Sequence, residues 1–136
     1  MKFLILQGPN LNIIGLKSAK ADSIVTLDKI NKRIRQKAGG FDVECKFLQT
    51  NEEGKAVTFL QRNRKKTDGI ILFPTAWQHS GYALVDTLDI LDIPFLTIST
   101  GEELNLLQGI DNIVNDNILD GCDLGIELLY KTAVKL

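Results

Sequence analysis

GIILF, residues 69–73, is apolar from its first residue to its last, and it has the length of a strand rather than of a helix. Three further runs of this kind occur: KFLIL at 2–6, VECKFL at 43–48 and IPFLTI at 93–98. Strands that are apolar nearly throughout must be buried on both faces, which is the condition of a parallel sheet covered by helices. VECKFL alternates with polar residues instead, which predicts a place nearer an edge.

Helical patterns lie between the runs. From Ser23 to Ala38, Ile24, Leu27, Ile30 and Ile34 recur at spacings of three and four with lysine and arginine between them, and Gly39-Gly40 is the expected stop. Gly54 to Lys66 repeats the pattern through Val57, Phe59 and Leu60, with a basic end suited to the helix dipole. Gly81 to Leu91 and Gly121 to Val134 supply two more, the last through Leu124, Leu128 and Leu129. Alternating strands and helices predict an α/β fold, with a pocket at the carboxyl ends of the strands. The polar stretch ISTGEELNLLQGIDNIVNDN is expected to be a surface loop.

At 136 residues the chain is expected to form a single domain, 1–136, large enough to bury a core without disulfides. Cys45 and Cys122 fit no zinc spacing; Cys45, in a strand pattern, is expected to be a buried free thiol. A net charge of -1 gives no global attraction to nucleic acid or an anionic membrane. The opening MKFLIL is broken by GPN and reads as a first strand, not a signal peptide, and no run reaches membrane-span length. The expected location is cytoplasmic.

Three loops then converge on the predicted pocket: QGPNLNIIG, FPTAWQHSG and STGEELN. The first offers the amides of Asn10 and Asn12; the second offers His79, the one histidine of the chain, and Ser80. The third offers Ser99, Thr100 and the backbone N–H groups around Gly101, suited to a small anion. Each has a plainer reading. Asn10 fits a turn, His79 a solvated residue, Ser80 the N-cap of the helix beginning near Gly81, and Glu102-Glu103 a solvated face. No dinucleotide, P-loop or HExxH motif occurs, and no cofactor or metal is expected.

The order of GPNLN, QTNEEG, DGIILFPTAWQHS and ALVDTLDILDIPF, followed by a GIELL helix, resembles the type II 3-dehydroquinate dehydratases along almost the whole chain. The resemblance implies a flavodoxin-like three-layer sandwich with a central parallel sheet of about five strands. It also implies a homo-oligomer built from trimers, up to a dodecamer. It further implies a cofactor-free lyase that removes water from 3-dehydroquinate in the shikimate or quinate pathways. In that family a lid tyrosine takes the proton, a nearby lid arginine assists, and a histidine after the fourth strand protonates the leaving hydroxyl.

Residue by residue, the resemblance assigns Asn10 to the water that stabilises the enolate, His79 to substrate binding, and Asp86 to the pocket of a neighbouring subunit. Other positions depart from the pattern. The lid reads LKSAKADS, without tyrosine or arginine, and the tyrosines are Tyr82 and Tyr130, in helical segments. Phe73 stands where an asparagine opens the third loop, and Val85 stands where A-L-R-D has its arginine. Ser99, Thr100, Gly101 and Glu102 replace H-L-S-N, and no arginine follows Arg64. A missing acid or base removes about 10²–10⁴-fold in rate.

The leading expectation is therefore a dehydratase-like protein with weak or no activity. It would bind a small carbocyclic acid through Asn10, His79, Ser80, Thr100 and Gly101, or serve as an oligomeric scaffold. The alternative is an active lyase in which Lys17 or His79 is the base and Ser99 or Glu102 the acid, with Lys17 or Lys20 supplying the lid charge. A receiver-like interaction module is disfavoured, because no acidic cluster follows the first strand.

Overall fold

The computed structural model describes residues 1–19, 24–101 and 105–136. The chain runs β1 (Lys2–Gln7), a 3-10 turn (Leu11–Ile13), α1 (Ile14–Ser18), α2 (Leu27–Gly40), β2 (Glu44–Gln49), α3 (Glu53–Arg62), β3 (Gly69–Phe73) and α4 (Trp77–Ser80). It continues through α5 (Tyr82–Leu91), β4 (Phe95–Ser99), β5 (Asp111–Val114) and α6 (Ile118–Val134). All strand pairs are parallel, and the five strands lie in the order β2-β1-β3-β4-β5, the flavodoxin-like arrangement.

The two-residue period of the strands divides the core into two layers. Phe3, Ile5, Ile71, Phe73, Leu96 and Ile98 face α2 and α6, where Ile30, Ile34, Ile126 and Leu129 meet them. Leu4, Leu6, Ile70 and Leu72 face α3 and α5, against Ala56, Leu60, Leu84 and Leu88. All of β3 is buried, as its unbroken apolar run predicts. Each such Ile, Leu or Phe side chain contributes about 1.5–3 kcal/mol when fully buried. VECKFL supplies β2, and β2 is an edge strand.

Across the outer layer Arg33 of α2 grips Asp123 of α6 with two nitrogens, Nε to Oδ1 at 2.9 Å and Nη2 to Oδ2 at 2.8 Å. The hydrogen bond and the negative charge of Asp123 together raise the guanidinium pKa above its ordinary value.

Several boundaries differ from the sequence pattern. α2 starts at Leu27, because the Thr26 hydroxyl accepts the N–H of Lys29 (3.3 Å); Ile24 lies outside it and is exposed. Gly39 and Gly40 form its last turn rather than its stop, closed by the Phe41 N–H donating to the Ala38 carbonyl at 3.0 Å. α3 ends at Arg62, not Lys66. α6 starts at Ile118, three residues before Gly121, because the Asn117 side chain accepts the N–H groups of Leu119 and Asp120. Leu124 points to solvent.

The stretch expected to be a loop contains β5, a second edge strand. Cys122 is buried and Cys45 only half-buried, and both are free. Burial pushes the Cys45 thiol up to about 11 and the Cys122 thiol up to about 12. Among the described residues no helix is long and apolar enough to cross a membrane.

Candidate functional site

A cleft of about 860 Å³ opens at the carboxyl ends of β1, β3 and β4, beside the point where strand order reverses between β1 and β3. That is where an open parallel sheet leaves room for a ligand, because successive crossovers run to opposite faces.

The loop after β1 forms its first wall and is held from below. The Gly8 N–H donates to the Phe73 carbonyl at 2.8 Å, tying the first loop to the third. A Cβ on Gly8 would sit 2.6 Å from the Pro74 carbonyl oxygen and 2.9 Å from that of Phe73, so only glycine permits this approach. Gln49 donates through Nε2 to the Gly8 carbonyl at 3.0 Å. Asn10 follows in the left-handed region (φ 68°), and its N–H donates to the side-chain oxygen of Asn51 at 3.0 Å. Asn10 thus both makes the turn and lines the cleft, so its two readings coexist.

The segment after β3 forms the second wall. Phe73, 1% exposed, closes the strand and lies among the residues that line the cleft. Thr75 takes a left-handed backbone (φ 48°), an unfavourable region for a β-branched residue. From there the chain turns directly into α4, which carries Gln78 and His79 along the cleft.

His79 is exposed and lines the opening. Gln78 is buried; its Nε2 donates to the Thr75 carbonyl at 3.1 Å. Its Oε1 and the Thr75 hydroxyl oxygen are buried without a partner among the described residues.

The end of β4 gives the third wall, Ser99, Thr100 and Gly101, with Ile98 and Ile118 as its apolar floor. α1 covers the mouth and brings Lys17 to the lining, alongside Ile14 and Leu16. Among the described residues the cleft therefore pairs an apolar side with the Lys17 ammonium, the His79 imidazole and a set of hydroxyl and amide groups. Such a lining suits a small ring with hydroxyl or carboxylate substituents.

Asn10, Lys17, Phe73, His79, Ser99, Thr100 and Gly101 are thus brought together. Ser80 is not among the lining residues. It ends α4, its hydroxyl donates to the Ala76 carbonyl at 3.3 Å, and Gly81 rather than Ser80 caps α5. Asn12 is exposed beside the cleft, and Asp86 lies exposed on α5, away from the lining of its own chain. Lys20, Glu102 and Glu103 lie outside the described residues.

Tyr82 opens α5 with its side chain largely exposed, while Tyr130 stacks on Phe41 with ring centroids 4.5 Å apart. Thr75, Gln78, Gln49 and Asn51 carry much of the site's geometry without a chemical signature of their own. The QTN of the second strand's end was the available signal for the last two.

The family model described as "Dehydroquinase class II" matches residues 1–102 and so ends just past β4. A 3-dehydroquinate dehydratase of Pelotomaculum thermopropionicum is 36% identical over 98 residues, covering 72% of this chain and 68% of the relative. One from Roseiflexus castenholzii is 39% identical over 98 residues, and there the match spans 62% of the relative. Among solved structures, a type II dehydroquinase from Butyrivibrio crossotus superposes with a TM-score of 0.86 at 25% identity, over 95% of this chain and 97% of that one. A 3-dehydroquinate dehydratase-like protein from Bifidobacterium longum, 18% identical, shares the fold with a TM-score of 0.74 over 100% of this chain and 99% of that one. With a family match that takes in its first four strands, relatives 36–39% identical and a sheet that superposes on a type II dehydroquinase, the chain belongs to the class II dehydroquinase family.

Proposed function

We propose that this chain is a class II dehydroquinase relative that retains a small-ligand cleft and has weak or no dehydratase activity. The observation that carries the reading is the cleft lining, which includes Lys17 and His79 but none of the chain's tyrosines or arginines. Dehydration next to a carbonyl needs a base for the carbon-bound proton, a stabiliser for the enolate and an acid for the departing hydroxide. Asn10 and the backbone around Gly101 suit the second task. Lys17 gives a carboxylate a charge partner, though a flexible point charge rather than the planar fork of an arginine. His79 and Ser99 offer hydrogen bonds to hydroxyls.

Purified protein is assayed with 3-dehydroquinate by ultraviolet absorbance of the conjugated product, and the same sample is heated with and without it. A raised melting temperature without turnover is the expected result. Turnover at the rate of about 1–10³ s⁻¹ usual for enzymes would overturn the reading.

A second reading, an active lyase with substituted residues, is favoured by one observation: Lys17 lines the same cleft as His79. A desolvated lysine can serve as a base. This reading requires a bell-shaped pH–rate profile that Lys17→Ala or His79→Ala abolishes.

A further inference from the structure

The cleft is apolar both at its floor and at its mouth. Phe73 of β3, Ile98 of β4 and Ile118 at the start of α6 line the floor, all buried in one core cluster. At the mouth the 3-10 turn and α1 contribute Ile13, Ile14 and Leu16. Ile14 packs against the same cluster as the floor and so anchors this segment. Ile13 and Leu16, three residues apart, line the cleft while staying 48% and 69% exposed. Two large apolar side chains kept in water beside an apolar floor are a cover that lacks its contents.

That cover is fixed in place. At the end of α1 the Ser18 hydroxyl donates to the Val25 carbonyl at 3.0 Å and accepts the Val25 N–H at 2.8 Å. The polar part of the lining is less generous than its residue types suggest. Gln78 spends its amide nitrogen on the Thr75 carbonyl, and its Oε1 and the Thr75 hydroxyl oxygen are both shut away from solvent. The other polar groups of the lining are Asn10, Lys17, His79 and the segment Ser99 to Gly101.

We propose that the ligand of this cleft is an aromatic carboxylate, flat and bare on both faces, with Lys17 as the partner of its charge. An aromatic ring keeps its substituents in its own plane. One face can therefore meet Phe73, Ile98 and Ile118 while the other meets Ile13 and Leu16. A saturated ring with several hydroxyls is puckered and turns oxygens toward those same surfaces. Each hydroxyl left there without a partner lowers affinity by about tenfold or more. This assignment rests on the reading of the cleft as a small-ligand site, and it names the kind of ring the site prefers.

The test is calorimetric titration of the whole chain with two ring carboxylates, 4-hydroxybenzoate and 3-dehydroquinate. 4-Hydroxybenzoate is expected to bind about tenfold tighter or more. Leu16→Ser changes an exposed position and leaves the fold intact, which circular dichroism checks. It should narrow the ratio of the two dissociation constants by about threefold or more, because it strips apolar cover from the mouth. Equal constants, or tighter binding of 3-dehydroquinate, would overturn the aromatic assignment and leave the small-ligand reading of the cleft standing. Binding of neither compound would overturn both. A 4-hydroxybenzoate constant unchanged in Leu16→Ser would also overturn the assignment, by placing that compound outside the cleft.

Discussion

The side-chain oxygen of Asn51 accepts the backbone N–H of Asn10 at 3.0 Å, across forty-one residues of sequence. That bond fixes the left-handed turn that presents Asn10 to the cleft. Asn51→Ala removes the acceptor, and a lost hydrogen bond of this kind costs about 1 kcal/mol. The expected melting temperature is about 3 °C lower. Any ligand that shifts the parent protein should shift this variant less at the same concentration, which a thermal-shift titration measures.

Gly8→Ala places a methyl group against two backbone carbonyl oxygens that no rotamer change can move. Overpacking of that sort costs about 1–3 kcal/mol or more. Urea unfolding should show the loss, together with a weaker ligand response, because the first and third loops share this contact. A stability equal to the parent's would mean that the two loops separate easily.

Phe73→Asn introduces a polar group where the buried ring now stands. The variant should lose about 3–4 kcal/mol of stability, since the ring is fully packed. It should gain no dehydratase turnover, because a better substrate contact supplies neither base nor acid. An increase in kcat with 3-dehydroquinate would sink the claim that the missing proton-transfer groups are limiting.

His79→Ala and Lys17→Ala address the polar side of the cleft. Each should weaken ligand binding by about 10–100-fold if it removes a charge-assisted hydrogen bond. Calorimetric titration with 3-dehydroquinate or its product measures this. An unchanged dissociation constant in both variants would place the ligand elsewhere.

The two thiols make a pH prediction. Both are raised by burial, to about 11 for Cys45 and about 12 for Cys122, from an ordinary value of 9.0. The folded state therefore keeps protons that the unfolded chain releases. This contribution to stability is complete below about pH 9 and falls away as the pH climbs toward 11–12. Urea midpoints taken from pH 7 to pH 10.5 should decline at the alkaline end, less steeply in Cys122→Ala. At pH 8 iodoacetamide should modify half-buried Cys45 slowly and Cys122 more slowly still.

What the sequence disclosed follows from where physical signals are strong. Runs such as GIILF and KFLIL can only be buried strands, so four strands and the alternating helices were legible. β5 was not, because DNIV is short, half-exposed and half-polar, and sits among loop residues. Gly39 and Gly40 looked like a terminator, yet α2 carries them because Ala38 is packed beneath it.

The cleft residues Asn10, His79, Thr100 and Gly101 were legible from strand-end position alone. The roles of Gln49 and Asn51 were not, since QTN marks their segment but a side chain that ties down a distant backbone leaves no local pattern of what it holds. Ser80 was misplaced as a cap, because a four-residue helix precedes α5.

The position of β1 between β2 and β3 has a consequence for how the site comes into being. Translation makes β1 early, yet its partners β2 and β3 start at Glu44 and Gly69. The Phe73 carbonyl that anchors Gly8 emerges later than both starts. A nascent chain that has not passed Phe73 carries the GPN turn with nothing to hold it. The first wall of the cleft therefore waits, during synthesis, for the end of the third strand to be made.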